Sequence, residues 1–91
     1  MSRCNEVKAD YVFYVYILQS LKDTNRFYIG STNDLKRRFK EHNDGNSIHT
    51  NKYVPWKIKQ YFAFDNQATA ESFEKYLKSG NGRIFIKKRL Q

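Results

Sequence analysis

Three runs of β-branched and aromatic residues predict three β-strands in this chain. The first run, residues 11–18, is almost wholly apolar, which is typical of a strand covered on both faces at the centre of a sheet. The turn-like residues 22–25 separate it from a second strand over 26–31, so these two strands should form a hairpin. A third strand over 56–64 follows Pro55. The pattern therefore predicts one small sheet.

Capping residues and helical periodicity predict three helices around these strands. A polar segment ending at Asp34 can cap a helix over residues 35–43. A second helix should run over 67–78 behind an aspartate or asparagine cap, and a short basic helix should cover 83–90 after a glycine-containing break. The order ββαβαα predicts an α/β (α+β) domain in which helices cover the small sheet.

Length and composition indicate a single domain. The chain has 91 residues, enough for one core, and we expect a flexible N-terminal segment over residues 1–10 and a folded domain over 11–91. Neither an apolar secretory core nor a long apolar run is present, so we expect a cytoplasmic protein without membrane contact. Cys4 is the single cysteine, which excludes an internal disulfide and a thiolate zinc cluster.

The charge balance adds information about the partner. The chain has 17 Lys and Arg and 9 Asp and Glu, which give a formal net charge of +8. Such a charge on a small domain indicates a polyanionic partner, since neutralising phosphates releases condensed counterions. Charge alone does not separate a nuclease from a structural RNA-binding protein, or from a basic surface that is merely solvated. A protein-interaction module built on exposed aromatics is disfavoured, because it leaves the charge unexplained.

The first predicted helix carries two chemically useful side chains on its apolar side. At about 100° per residue, Arg38 and His42 share the side of Leu35 and Phe39. The other charged residues of this helix should face water: Lys36, Arg37, Lys40 and Glu41. A cation on the packed side is costly unless it lines a cleft or has a partner. Arg38 and His42 are therefore either site residues or a salt-bridged arginine and a hydrogen-bonded histidine at a helix end.

The second predicted helix carries a carboxylate beside its apolar stripe. Glu74 borders the stripe of Ala70, Phe73 and Leu77, whereas Glu71 lies further toward solvent. One carboxylate, together with water molecules and phosphate oxygens, can hold Mg²⁺. The alternative for any isolated helix glutamate is an ordinary surface group.

Two tyrosines lie on the predicted hairpin, and their use depends on its register. Tyr16 and Tyr28 reach the same face only if the numbers of paired residues add to an even value, as a three- or five-residue loop or a bulge would produce. A strand tyrosine is usually a packing residue. The register therefore decides whether both phenols can serve one site.

Taken together, these positions resemble the GIY-YIG nuclease family. The family's first triplet matches Tyr14-Val15-Tyr16, in which the usual Gly and Ile are replaced and the tyrosine remains. After eleven intervening residues its Tyr-Ile-Gly triplet matches Tyr28-Ile29-Gly30. The family's arginine, ten residues after the second tyrosine, matches Arg38, and its histidine, four residues later, matches His42.

The resemblance extends over residues 12–90. The family's metal-binding glutamate matches Glu74, and segments 55–57 and 76–80 are most similar to small stand-alone bacterial members. The family's late asparagine has no secure counterpart, and Asn81 is a candidate position for it.

The resemblance implies a three-stranded, mainly antiparallel sheet flanked by helices, and a metal-dependent DNA endonuclease acting in DNA repair or processing. Such an enzyme would be structure-directed or weakly sequence-specific. Glu74 would bind one Mg²⁺ or Mn²⁺ ion. Tyr16 would accept the proton of the attacking water, directly or through a relay, while Tyr28 would position the water or share that role. Arg38 would stabilise charge on the phosphate, and His42 would hydrogen-bond a tyrosine or the phosphate.

A tyrosine that accepts a proton at neutral pH must meet a chemical condition. A phenol is a poor base at neutral pH, so either its pKa is lowered by a neighbouring cation or its proton is passed on as the water attacks. We expect the five groups that carry the chemistry to converge on one concave surface beside the sheet.

The remaining basic residues would grip the DNA backbone without reading bases. The expected phosphate contacts are Lys36, Arg37, Lys40, Arg83, Lys87, Lys88 and Arg89. A homodimer or a targeting partner could choose the DNA target. The rival interpretation is a non-catalytic nucleic-acid-binding module on the same fold, which needs the basic surface but neither Glu74 nor both tyrosines. No role is indicated for His49.

Overall fold

The computed structural model describes residues 12–90, which form one sheet with helices on both faces. The elements in chain order are β1 (Phe13–Ser20), β2 (Phe27–Thr32), α1 (Leu35–Asn43), a 3-10 turn (Asn51–Tyr53), β3 (Trp56–Phe64), α2 (Gln67–Lys78) and α3 (Gly80–Arg89). The predicted α+β class and the order ββαβαα are confirmed. The segment 1–10, expected to be flexible, lies outside the described residues. Within residues 12–90, no helix is both long and apolar enough to cross a membrane.

The sheet is antiparallel throughout, with strand order β2-β1-β3. The central strand, β1, is the most apolar one, as the sequence pattern predicted for a strand covered on both faces. Its pairing with β3 shifts by one residue between Ile17 and Leu18, and Lys59 is the extra residue of this bulge. The strand next to the candidate chemistry, β2, is an edge strand.

Side-chain alternation along β1 divides the core into two clusters. Val15 and Ile17 point to the face covered by α2 and α3, here called the α2/α3 face. Tyr16 and Leu18 point to the opposite face, here called the α1 face, where they pack with Trp56 and with apolar residues of α1. All four β1 residues are at most 1% exposed, so a substitution on either face disturbs a packed core.

Helix α3 begins at Gly80, three residues earlier than predicted. The cause is Ser79, which ends α2 and also caps α3, because its hydroxyl accepts a hydrogen bond from the Gly82 amide at 3.2 Å. A Cβ atom at Gly82 would collide with the backbone of Tyr76 and Leu77, so only glycine lets the two helices approach this closely. One residue therefore separates the helices.

Side-chain hydrogen bonds tie the end of α1 to the start of β3. Asn43 Oδ1 accepts from the Trp56 backbone amide at 2.6 Å, and Asn43 Nδ2 donates to the Trp56 carbonyl at 3.0 Å. The Trp56 indole donates to the Thr50 carbonyl at 2.9 Å. These bonds hold the connection between α1 and β3 against the α1 face of the sheet.

Candidate active site

The hairpin register brings the two tyrosines to the α1 face. Tyr16 pairs with Gly30 and Leu18 pairs with Tyr28. The numbers of paired residues therefore add to an even value, which is the register that a site shared by both tyrosines requires. The Ser20 amide donates to the Arg26 carbonyl at 3.0 Å, which leaves a loop of the five residues 21–25. The rings of Tyr16 and Tyr28 lie 6.3 Å apart between centroids. The condition for a common site is therefore met.

Helix α1 adds the imidazole to this face. His42 is fully buried, and its Nε2 lies 2.8 Å from the Tyr16 hydroxyl oxygen. On its other side, His42 Nδ1 lies 2.7 Å from the hydroxyl of Thr50, which is also fully buried. The Tyr28 ring packs against the imidazole at 4.9 Å between centroids. A hydrogen-bonded chain thus runs from Thr50 through His42 to Tyr16.

Arg38 lies one turn before His42 and is held by a carboxylate of its own helix. Its Nη1 donates to Glu41 Oε1 at 2.8 Å, and both side chains are about one-third exposed, at 33% and 31%. Glu41 is less solvated than the prediction that it faces water implies, because it bridges Arg38 and Arg37, whose Nη1 donates to Glu41 Oε2 at 3.0 Å. Arg38 therefore has the salt bridge that the sequence left open as one of two alternatives, and it also lies close enough to act on Tyr16.

Gly30 makes room for the Tyr16 phenol. A Cβ atom at Gly30 would lie 2.5 Å from the Tyr16 hydroxyl oxygen and 3.1 Å from Tyr28 Cε2. The first distance is shorter than real Cβ contacts allow and the second is tight, so any side chain here would displace the Tyr16 phenol. The glycine of the Tyr-Ile-Gly triplet is thus required by close approach rather than by a turn.

Glu74 reaches the site from the other side of the sheet. It lies on α2, which packs on the α2/α3 face, and its Oε1 accepts a hydrogen bond from Ser31 Oγ on the edge strand at 2.7 Å. Its Oε2 is bonded to Lys78 Nζ at 2.8 Å. The charge of Glu74 nevertheless acts on Tyr16 and contributes to raising its pKa. The expectation that all five groups lie on one concave surface is therefore met by four of them, which share the α1 face, whereas Glu74 lies on the α2/α3 face and contacts the edge strand through Ser31.

Burial sets the protonation states at the centre of the site. Burial chiefly, and then the neighbouring Tyr28, raises the pKa of Tyr16 to about 12 in spite of the opposing pull of Arg38. Burial and the positive charge of Arg38 lower the pKa of His42 to about 4. At neutral pH the phenol is therefore protonated and the imidazole is neutral. A tyrosine base requires either a lowered phenol pKa or the transfer of its proton as the water attacks. The pKa of Tyr16 is raised in the protein alone, so the first alternative does not hold there.

The predicted phosphate contacts occupy different surfaces. Arg83 and Lys87 line a groove between α3 and β2 together with Arg26, Lys78 and Tyr28, and we call it the basic groove. On α1, by contrast, Arg37 is paired with Glu41 and Lys40 with Asp44. The three other cations expected to contact phosphate are exposed: Lys36, Lys88 and Arg89. The structure thus joins two of the seven expected cations to the candidate site through Tyr28.

The residues near Glu74 fit a metal ion held mainly by its substrate. Glu74 and the Ser31 hydroxyl supply oxygen donors, which suit Mg²⁺ and Mn²⁺. Residues 12–90 contain no cluster of three or more His, Cys, Asp or Glu side chains that could cage a metal by themselves. Phosphate oxygens and water would have to complete the coordination, and Lys78 would have to release the carboxylate.

Sequence reasoning missed three supporting residues. Thr50 carries no local signal, because its contact with His42 depends on how the loop after α1 folds back. Ser31 meets Glu74 only through the packing of α2 on the sheet. Gly30 did carry a signal, because a glycine inside a strand often marks a close approach. His49 and Asn81 are exposed and take no part in the site geometry.

Several known proteins are similar to this chain. The family of the GIY-YIG catalytic domain matches residues 12–89. A UPF0213 protein of Clostridium perfringens is 41% identical over 66 residues, which are 71% of this chain and 69% of that protein. A UPF0213 protein of Streptococcus pyogenes serotype M3 is 34% identical over 71 residues, 77% of this chain and 75% of that protein. The NMR structure of a UPF0213 protein from Bacillus halodurans has a TM-score of 0.54 at 29% identity and covers 87% of this chain and 86% of its own. The chain therefore belongs to the GIY-YIG family, whose catalytic domains are of nuclease type.

Proposed function

We propose that this protein is a metal-dependent DNA endonuclease that hydrolyses phosphodiester bonds, acting in DNA repair or processing with structure-directed or weak sequence preference. The observation that carries the proposal is the meeting of Tyr16, Tyr28, Arg38 and His42 over Gly30, at the strand edge that Glu74 reaches from behind. These groups can handle a proton and stabilise phosphate charge, and simple packing needs no such collection of them.

The chemistry assigned to the chain's own residues is a direct hydrolysis. Tyr16 first loses its proton to solvent. A water molecule then attacks phosphorus in line while the bond from phosphorus to the leaving oxygen breaks, and the leaving oxygen takes a proton from solvent. The ionised Tyr16 takes the proton of the water, and Tyr28 positions that water. Arg38 exchanges its bond with Glu41 for the phosphate oxygens, where charge develops in the transition state.

Nucleases of this family generally use a divalent metal ion. Glu74 and Ser31 are the residues that would hold it here, as Mg²⁺ or Mn²⁺. When bound, the ion supplies Lewis-acid stabilisation of the phosphate and the leaving oxygen.

The proposed role of Tyr16 sets the direction of the Thr50–His42–Tyr16 chain. In the resting protein, two hydroxyls and one imidazole N–H are three donors for two bonds. An ionised Tyr16 can only accept, so Thr50 then donates to Nδ1 and the His42 Nε2–H donates to the phenolate. We assign the same tautomer to the resting protein, because the phenol can then ionise without moving the imidazole proton. His42 stabilises the ionised phenol, and the Tyr16 proton leaves to solvent rather than to His42.

Replacing Thr50 with valine should slow cleavage about 10-fold to 100-fold, because His42 would lose the bond that fixes its tautomer. Thr50→Ser should keep most of the rate, since the hydroxyl remains. Nitrogen-15 NMR of His42 should show protonated Nε2 in the parent protein. Protonated Nδ1 in the parent would contradict the assignment.

The basic groove is assigned to the DNA backbone. Arg83→Ala together with Lys87→Ala should weaken DNA binding and reduce the slope of log affinity against log salt by about two, since two phosphate contacts are lost. The cleavage rate at saturating DNA should stay close to that of the parent. As a matched control, Lys52→Ala with Lys57→Ala removes the same charge from exposed positions outside the groove. Equal effects of the two pairs on the salt slope would show that only net charge matters.

A second candidate function is a non-catalytic nucleic-acid-binding module. It is favoured by the internal pairing of the charged groups, since Arg38 is bound to Glu41 and Lys78 to Glu74. Incubating the protein with supercoiled, branched and single-stranded DNA, with and without Mg²⁺ or Mn²⁺, separates the two. Metal-dependent cleavage of any form supports the nuclease, and binding without cleavage of any form supports the module. A homodimer or a targeting partner could supply target choice in either case.

A further inference from the structure

An open aromatic groove lies beside the candidate active site on the α1 face. It is lined by Tyr14, Leu35, Lys36, Phe39, Ile58 and Tyr61, and we call it the aromatic groove. Its apolar walls come from β1, β3 and the first turns of α1. Tyr61, on the edge strand β3, is 49% exposed. The α1 helix covers the sheet next to Tyr16 but leaves this part open.

The aromatic groove is adjacent to the site. Tyr14 lies two residues before Tyr16 on the same face of the same strand, a separation of about 7 Å. Phe39 follows Arg38 in α1 and packs against the cluster that contains Tyr16. A phosphate held by Arg38 would therefore have its neighbouring nucleotide near the mouth of this groove.

The lining of the groove suits a nucleobase. Tyr14 meets Tyr61 edge to face at 6.0 Å between centroids, so the exposed Tyr61 ring is held in place by its neighbour. Lys36 is exposed at the rim, where it can contact a backbone phosphate. The carboxylate in the groove lining, Asp34, accepts from the Arg37 amide at 3.1 Å and pairs with the Arg37 guanidinium at 3.4 Å. An anionic strand therefore meets a cation at the rim and a stacking surface inside.

We propose that the aromatic groove binds an unpaired nucleobase of the DNA strand next to the scissile phosphate. This inference rests on the proposed function and specifies its substrate class, namely DNA with unpaired nucleotides at the cleavage position. Bases inside a duplex hide their ring faces in the stack, so only a single-stranded or extruded nucleotide can use Tyr61. The net charge of +8 favours an anionic nucleic acid over an uncharged or basic peptide.

The test measures DNA binding without metal, by fluorescence anisotropy on a DNA hairpin with a single-stranded tail and on the same hairpin without a tail, each closed by a polyethylene glycol linker in place of loop nucleotides. Stacking on one aromatic ring contributes about 1–3 kcal/mol per base, so Tyr61→Ala should weaken binding of the tailed hairpin by about 5-fold or more. Binding of the blunt hairpin should not change. Tyr61→Phe should behave like the parent, and Tyr61→Trp should bind the tailed hairpin at least as tightly.

The chain offers a matched control in Tyr76, which is 42% exposed on α2 and stacks on Phe73, away from the α1 face. Tyr76→Ala should leave both hairpins unaffected. Replacing the tail nucleotides by abasic sites should remove the difference between the parent and Tyr61→Ala. Because half of Tyr61 is exposed, its replacement should preserve the fold, and a thermal melt monitored by circular dichroism checks this.

The inference is overturned if Tyr61→Ala weakens the blunt and tailed hairpins equally, if it acts no more than Tyr76→Ala, or if abasic tails leave its effect intact. Failure of the proposed function is distinguishable from failure of this inference. A protein that loses tail binding with Tyr61→Ala but never cleaves DNA keeps the groove and loses the nuclease assignment. A protein that cleaves DNA with no dependence on Tyr61 keeps the nuclease assignment and loses the assignment of the aromatic groove.

Discussion

Replacing Glu74 with alanine should abolish metal-dependent DNA cleavage, with a loss of at least ~10³-fold in rate. Glu74 is the carboxylate that the structure brings to the strand edge behind Tyr16, and within residues 12–90 no cluster of acidic or metal-ligating side chains could replace it. DNA affinity without metal should stay the same or tighten, because removing one negative charge raises the net charge and frees Lys78. Single-turnover cleavage and metal-free binding measure the two effects separately.

The same helix provides the control for this experiment. Glu71→Ala makes the same charge change on α2, but Glu71 is exposed and bonded only to Gln67 at 3.1 Å among the contacts of the described residues. Its cleavage rate should match that of the parent. If Glu74→Ala cuts as fast as Glu71→Ala, the assignment of Glu74 is wrong and the non-catalytic module becomes the better interpretation.

Replacing Tyr16 with phenylalanine should lower the cleavage rate by about 10²-fold to 10⁴-fold, which is the range for removal of a general base. The parent rate should also rise with pH from neutral to mildly alkaline conditions. With the pKa of Tyr16 raised to about 12, the phenol is almost wholly protonated at pH 7 and its ionised fraction grows about tenfold per pH unit. Tyr16→Phe should lose this pH dependence along with the rate.

Folding should survive this change at a modest cost. Phenylalanine fills the same space over Gly30, but the Nε2 of the buried His42 loses its partner, which we expect to reduce the free energy of unfolding by about 1–3 kcal/mol. Tyr76→Phe removes a hydroxyl from a half-exposed tyrosine on another surface and serves as the control. A Tyr16→Phe variant that keeps both the parent rate and its pH profile would transfer the base role to Tyr28.

Local chemistry explains why most of the fold could be predicted from the chain. Helices 35–43 and 67–78 have the predicted bounds, because the Asp34 and Asn66 side chains accept from backbone amides of the first turn. The strand over 56–64 is also as predicted. The one misplaced helix start, at Gly80, has a tertiary cause, since Gly82 lets α3 begin directly against α2.

Only part of the arrangement of the site residues could be predicted from the sequence. Helical periodicity put Arg38 and His42 on one side of α1, and the structure keeps them there. Periodicity also put Glu41 in water, whereas the structure pairs it with Arg38 at 2.8 Å. A period of 3.6 assigns directions from the helix axis, but a long side chain can bend toward an opposite charge three residues away.

The sequence by itself determined the element order, the candidate chemistry and the basic character of this protein, because these depend on neighbours along the chain and on composition. Only the tertiary structure decided the pairing of Tyr16 with Gly30, the arrival of Glu74 from the α2/α3 face, and the support of His42 by Thr50. Register, layer order and loop return join residues that are far apart in the chain, so no local pattern encodes them. The raised pKa of Tyr16 also depends on the tertiary structure, because burial beneath a packed helix removes water from the phenol.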